Sequence, residues 1–476
     1  MRRLLLALCL VLALSPAAGA QSSLFLSREA EARIGAEEHP KVLAQFGGAM
    51  AGPQADYLRE LGARLARHSE RPDGPWTFTL LNSDVVNAFA LPGGYVYITR
   101  GIMALAADEA ELAGIVGHEM GHVVARHAAQ RFDRQVGAQL GSVAAEILGQ
   151  VFLGVRGGGQ IAGLAGQAYV AAFSREQELE ADTYGVRYLR AAGYDTAAMG
   201  SFLARMGEWD RLEAAIAGRR AGDDQYSWFA THPRTPDRVQ AAIAAAGGAR
   251  SGERAREAYV RRLDGLVWGD DVEEGVIRGR IFLHPVLRFR FEVPEGFRLV
   301  NGARAVTATH PGGGQIIFDA GQIRGDVPPE QYLARGWATG VRLTGLELLE
   351  VGGMPAAAAR TRLNTRQGPV DLMLVAVRYA PGRYWRFQFV STPPRTAAFS
   401  PGFLATLGSF RALSAAEAAA IRPLRIRAHQ VRRGETVERL AQAMPVARAE
   451  ERFRLMNGLG PEEQVQAGQW VKLIAE

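Results

Sequence analysis

Residues 117–127 read GHEMGHVVARH, three histidines and a glutamate inside eleven positions of an otherwise apolar stretch. Upstream, Asp108 and Glu111 stand at the spacing of an N-terminal capping pair. Leu112, Ile115, Val116 and Val123 then supply the apolar stripe of a helix. On such a helix His118 and His122 are four apart, so their rings leave one face and can converge on one ion. Glu119 adjoins the first histidine, where its carboxylate can reach a water at the ion without binding the ion itself. Gly121 leaves room beside the pair. His-Glu-x-x-His is the arrangement of zinc peptidases. His127, five residues past His122, is expected to face away and to serve the scaffold.

Two histidines do not complete a catalytic zinc site, which takes three protein ligands and a water. A second helix with suitable chemistry is SREQELEADTYG at 174–185. Ser174 and Gln177 can cap it. Glu178 and Asp182 are four apart and share a face, whereas Glu180 points largely the other way. Taken alone this is a solvated acidic face, although like charges at that spacing repel by roughly 0.2–0.5 kcal/mol. Paired with the histidine helix, a metal would remove the repulsion.

Around these helices, 476 residues predict two to four domains. The formal charge of +6 is carried almost entirely by arginine, with no dense basic run interleaved with aromatics, so nucleic acid is not an expected partner. Arg2 and Arg3, the apolar run from Leu4 to Leu14, and Ala18-Gly19-Ala20 have the layout of a secretory signal over 1–20. The single cysteine, Cys9, lies inside it, so the exported chain would depend on its core and not on disulfides. The longest later apolar stretch, 137–155, is broken by Gln139, Glu146 and Gln150 and is not expected to span a membrane.

Residues 27–245 read as a mainly helical domain with a small β-sheet, whose strands are expected near Trp76–Leu81 and Tyr95–Thr99. If the second of these lies at a sheet edge, Tyr95, Val96, Tyr97, Ile98 and Thr99 could pair with an extended substrate. The glycine-rich stretch 154–166 reads as a packed helical hairpin, with a lid or a peripheral membrane contact as alternatives. Residues 246–285, charged and punctuated by glycine, suggest a linker that partly packs. Strict alternation at Arg288–Val293 and Tyr384–Phe389 predicts an α+β domain over 286–413. Residues 425–476 read strand, helix, helix, strand.

The His-Glu-x-x-His helix followed by Glu-x-x-Ala-Asp resembles the gluzincin metallopeptidase family of the HtpX and BepA type, which includes the CAAX prenyl endopeptidases. Asn87-Ala88-Phe89-Ala90-Leu91-Pro92-Gly93-Gly94, Arg126-His127, Ser174-Arg175 and Thr231-His232-Pro233 extend the resemblance across 27–245. It implies a zincin-like fold, one Zn2+ per chain, His118, His122 and Glu178 as its ligands, Glu119 as the catalytic base, and Asp182 orienting a ligand histidine. It also implies that His232 approaches the metal, either restraining activity or assisting the transition state, against a plain role at a helix start. The periplasmic branch implies misfolded or misassembled envelope proteins as substrates. Gly434-Glu435-Thr436, Asn457-Gly458-Leu459 and Ala467-Gly468-Gln469 resemble a LysM module, which makes peptidoglycan a second candidate partner. The rival expectation is a periplasmic chaperone or cell-wall-binding protein whose zinc site is plugged or vestigial.

Overall fold

The computed structural model describes residues 26–134, 173–216, 236–245, 252–302, 305–365 and 368–476, with 218, 228, 232 and 247. The signal segment 1–20 and the stretches 137–155 and 154–166 lie outside these described residues. Helices α1 (Arg28–Gln45) and α2 (Pro53–Ala66) precede a three-stranded sheet of β1 (Thr77–Leu81), β2 (Ala88–Leu91) and β3 (Tyr95–Thr99). The order is β1-β3-β2. Tyr95–Thr99 is therefore the central strand, and the edge pairing expected of it does not hold. It is parallel to β1 from Thr77↔Tyr95 to Leu81↔Thr99, and antiparallel to β2 from Ala88↔Ile98 to Leu91↔Tyr95. Its backbone is consumed on both sides, and among the described strands the edge on that side is β2.

Thr99 caps α3 (Arg100–Leu105), and α4 (Glu109–Val124) follows. Asp108 accepts from the Glu111 amide at 3.0 Å, while the Glu111 carboxylate turns back to the Ala107 amide at 2.9 Å. Every residue of α4 is buried. Its partner is α5 (Arg175–Ala191), which opens on a complete capping box of Ser174 and Gln177. The two helices meet along a seam of small residues. A Cβ on Gly121 would stand 2.8 Å from Tyr184 Cβ and 3.2 Å from Ala181 Cα, and one on Gly117 would stand 3.2 Å from Gly185 Cα. The room that Gly121 provides is thus filled by α5, and this close approach carries Glu178 and Asp182 to the histidines. Helices α6 (Ala197–Ile216) and α7 (Pro236–Ala245) complete the group.

Residues 246–285 are not a linker. Helix α8 (Arg256–Arg262) packs on α2 and α4, and its buried Tyr259 donates to the Met103 carbonyl at 2.5 Å. Strand β4 (Val267–Trp268) follows, and β5 (Val276–Arg278) and β6 (Ile281–His284) already belong to the next domain. That domain has two antiparallel sheets. The first is a seven-stranded sheet that includes β10 (Gln315–Gln322), β11 (Thr344–Val351), β12 (Met354–Thr365), β13 (Gly368–Ala380) and β14 (Arg383–Ser391), with β8 (Arg298–Asn301) and β9 (Val306–Thr309) at one side. The second joins β5 and β6 to β7 (Phe289–Glu292) and β15 (Arg411–Ala412). Helix α9 (Thr396–Ser409) contributes Phe399, Phe403 and Leu407 to the core shared by both sheets.

The chain then returns to the first domain. Strand β16 (Leu424–Gln430) pairs with β4 at Leu424↔Trp268 and with β17 (Trp470–Ala475) along its length. Helices α10 (Val437–Gln442) and α11 (Ala449–Asn457) lie between β16 and β17. Ile426, Val437, Phe453, Val471 and Ile474 belong to the same apolar core as Leu58, Ile102 and Ile115. The Lys472 Nζ is buried and donates to the carbonyls of Ala104 and Ala106, at 2.6 and 2.5 Å. Asn457 holds the Lys472 backbone from both sides, at 2.9 and 2.8 Å. The β-α-α-β unit is a wall of the first domain, and the β-sheet domain is an insertion between β4 and β16.

Candidate metal centre

The Nε2 atoms of His118 and His122 stand 3.0 Å apart, each at the inner end of its ring. Glu178 reaches them from α5, with carboxylate oxygens 3.7 Å from His118 Nε2 and 3.5 Å from His122 Nε2. His232 enters from the other side, with Nδ1 at 3.4 Å from His118 Nε2 and 3.0 Å from Glu178 Oε1. One ligand atom from each of the four lies within 4.8 Å of the others, and all four residues are buried. Imidazole nitrogens with one carboxylate suit zinc among the biological divalent ions. Buried Glu119 borders the cluster, its Oε1 at 3.5 Å from His232 Nε2, and its Oε2 has no hydrogen-bond partner. An orphan carboxylate oxygen beside converging donors is what a metal and its water would engage, so the residues present fit zinc.

The support behind the cluster is ionic on one side. His118 Nδ1 is 2.9 Å from Asp182 Oδ1, and Arg238 donates to both Asp182 oxygens at 2.9 and 2.8 Å. Arg238 also stands 2.6 Å from Glu178 Oε2. Burial works to raise the Asp182 carboxyl, but Arg238 and His118 outweigh it and hold the group at about 2. At Glu178 burial prevails over His118 and Arg238, and the group rises to about 7. Burial, with the Glu178 charge, lifts Glu119 well above the usual carboxylate range, so it holds a proton readily. Burial also drives His118, His122 and His232 down, which leaves their rings neutral with lone pairs to donate.

Several residues at the centre carry no sequence signal. Arg238 comes from α7, 56 positions from Asp182, in a chain full of arginine. Trp228 stacks on His232 with centroids 4.7 Å apart and lies 3.5 Å from Glu119 through Nε1. Phe173 stacks on His122 with centroids 3.8 Å apart, and the Arg131 guanidinium lies over the Phe173 ring, 3.8 Å from its centroid. His127 is a correction. The helix ends at Val124, and Arg126 adopts φ of 58°, so helical spacing no longer governs the next residue. The chain turns back, and His127 Nδ1 comes 2.8 Å from His122 Nδ1 instead of facing away. Its Nε2 lies 3.2 Å from Glu180 Oε2, and burial lowers the ring to about 3. Of the expected substrate strand, Tyr97 is tied to His39 at 2.7 Å. It is the preceding stretch, Ala90 and Leu91 of β2 with Pro92 and Gly93, that shares the walls of a small cavity with His122 and Phe173.

Residues 53–246 match the model of Peptidase family M48. The chain is 35% identical over 157 residues to the beta-barrel assembly-enhancing protease of Escherichia coli (strain K12), an alignment covering 32% of each chain. It is 30% identical over 166 residues to the metalloprotease LoiP of the same organism, covering 35% of this chain and 61% of LoiP. To the mitochondrial metalloendopeptidase OMA1 of Schizosaccharomyces pombe it is 28% identical over 222 residues, covering 45% of this chain and 60% of that one. The chain thus spans about a third of the first relative and less than two thirds of the others. The stretch that matches the Peptidase family M48 model, 53–246, contains the whole His118, His122, Glu178 and His232 cluster.

Proposed function

We propose that the protein is an exported zinc endopeptidase that hydrolyses misfolded or misassembled cell-envelope proteins in the periplasm of a Gram-negative bacterium. One observation carries this reading: three buried histidines and a glutamate bring ligand atoms within 4.8 Å of one another, beside buried Glu119, whose Oε2 has no hydrogen-bond partner. His118, His122 and Glu178 hold one zinc ion per chain. When bound, zinc supplies the Lewis acid that acidifies the attacking water and polarises the scissile carbonyl. Glu119 takes the water's proton and delivers it to the departing amine. Asp182, clamped by Arg238, fixes the ring of His118. The edge of β2, Ala88–Leu91, receives an extended stretch of substrate through backbone hydrogen bonds, which gives affinity with little sequence preference. A protease of unfolded chains needs such tolerance. The names of the bacterial relatives support envelope proteins as the substrate class.

A second reading is favoured by His232. Its Nδ1 already lies among the ligand atoms, 3.0 Å from Glu178 Oε1, with Trp228 stacked behind it, which is the arrangement of a plug. A permanently plugged site would make the protein a chaperone or cell-wall-binding protein. The deciding experiment compares the full-length protein with Glu119→Gln, using casein as an unfolded substrate and measuring zinc on both. One zinc per chain in each, with cleavage about 10²–10⁴-fold slower in the variant, supports the protease. Zinc in both and cleavage by neither gives the chaperone reading. His232→Ala distinguishes its two roles, raising activity if the ring restrains and lowering it if the ring assists. Peptidoglycan binding through the LysM-like 425–476 is a weaker element, because Gly458 packs against Ala107 and Arg205 of the first domain. Sedimentation of the full chain with peptidoglycan sacculi tests it, and a protein left in the supernatant removes it.

A further inference from the structure

The two histidines of the zinc motif are supported differently. His118 is backed by Asp182, an ionised carboxylate clamped by Arg238. Among the described residues, His122 is backed by no carboxylate of its own: its Nδ1 faces the Nδ1 of His127 at 2.8 Å, and His127 Nε2 in turn faces Glu180 Oε2 at 3.2 Å. His127 is fully buried, whereas the Glu180 side chain is 52% exposed. The partners fix which way the protons run. His122 Nε2 faces the other ligand atoms, so its lone pair is there and its hydrogen is on Nδ1. Two Nδ1 atoms at hydrogen-bond distance need one donor and one acceptor. His122 therefore donates, His127 Nδ1 accepts, and the hydrogen of His127 sits on Nε2 and is donated to Glu180.

We infer that His127 is a positioning residue for the metal, setting the tautomer and ring orientation of His122 and tying that ring, through Glu180, to the protein surface. This rests on the zinc reading above and adds to it a fourth histidine, one that binds no metal. The relay exists because Arg126 takes a left-handed conformation, which turns the chain back immediately after the metal helix. Its neutral second ring also gives His122 a weaker acceptor than the carboxylate behind His118. The two zinc histidines are accordingly unequal, and His122 is the one whose support reaches solvent.

The test is zinc affinity of the full-length protein, read by competition with a chromophoric chelator, alongside the melting temperature of the metal-free protein. His127→Leu removes the acceptor and is expected to weaken zinc binding about 10–100-fold. His127→Asn keeps an acceptor oxygen near the place of Nδ1 and is expected to recover affinity to within a few-fold. In cobalt-substituted protein, the ligand-field spectrum should shift in His127→Leu and return towards wild type in His127→Asn. A purely structural histidine would lower the melting temperature in both variants and leave affinity unchanged. Wild-type affinity in His127→Leu, or equal losses in the two variants, overturns the assignment while leaving the zinc reading intact. A wild-type protein that binds no zinc, behaving as His118→Ala does, overturns both.

Discussion

Between Val276 and Ala412 the interior is built from rings. Phe318 and Phe387 stand 4.8 Å apart, Phe291 and Phe318 5.0 Å, and Phe289 and Trp385 4.8 Å. Among the described residues of that domain, His284 is the one buried Asp, Glu, Lys, Arg or His side chain. The first domain buries Glu111, Glu119, Glu178, Asp182, Arg238 and Lys472 at comparable depth. Taking an ion out of water costs several kcal/mol, and the cost is met only by close partners in good geometry. Aromatic packing has no such requirement. One domain is therefore held by shape, and the other relies on buried, interlocked ion pairs such as Arg238 with Glu178 and Asp182 and Arg205 with Glu111. The interlocked one carries the chemistry.

Arg238→Met should break this contrast most severely. It strands Glu178 and Asp182 without their cation, and a loss of about 3–5 kcal/mol is expected in urea unfolding, together with loss of zinc. Stability and zinc content both at wild-type values would mean that the charges do not depend on one another. Phe387→Ala should cost about 3–5 kcal/mol as well, but only in the transition of the second domain. Zinc content should be untouched, and calorimetry with metal analysis checks both points. The smallest effect concerns Glu111. Burial raises it, but Arg205 and Arg254 prevail and bring it from 4.5 to about 2. A depressed carboxyl contributes stability that is complete above its ordinary value and lost as pH falls towards the folded value. The contribution is at most about 3 kcal/mol. Urea midpoints measured from pH 5 to pH 2 should fall more steeply for the wild type than for Glu111→Gln, and parallel curves would assign the acid sensitivity elsewhere.

What was legible in the sequence followed helical geometry. His118 and His122, like Glu178 and Asp182, are four apart on uninterrupted helices, so spacing alone put each pair on one face. His127 was misplaced because that rule stops where the helix stops, and Arg126 gives no warning in its side chain. Arg238 and Trp228 reach the centre through tertiary packing that no local spacing encodes. The sheet edge went to the wrong strand because β1 and β3 pair directly in parallel although β2 lies between them in the chain, and alternation records which residues form a strand but not its neighbours. The strands inside the expected linker were hidden for a related reason: β4, β5 and β6 are two to four residues long, and the partner of β4, β16, is distant in the chain.

The insertion of the β-sheet domain bears on how the molecule is made. Lys472 reaches a carbonyl of Ala104 across 368 positions of chain, and Val471 and Ile474 fill a core begun by α2. During synthesis the helices around the metal centre emerge early but stay incompletely covered until β17 arrives. The ring-filled domain in between has its whole core in one continuous segment and can fold while the other waits. Loop-closure entropy makes contacts of such separation slow to form. Assembly of the first domain therefore waits until β17 has been made, well after its own helices.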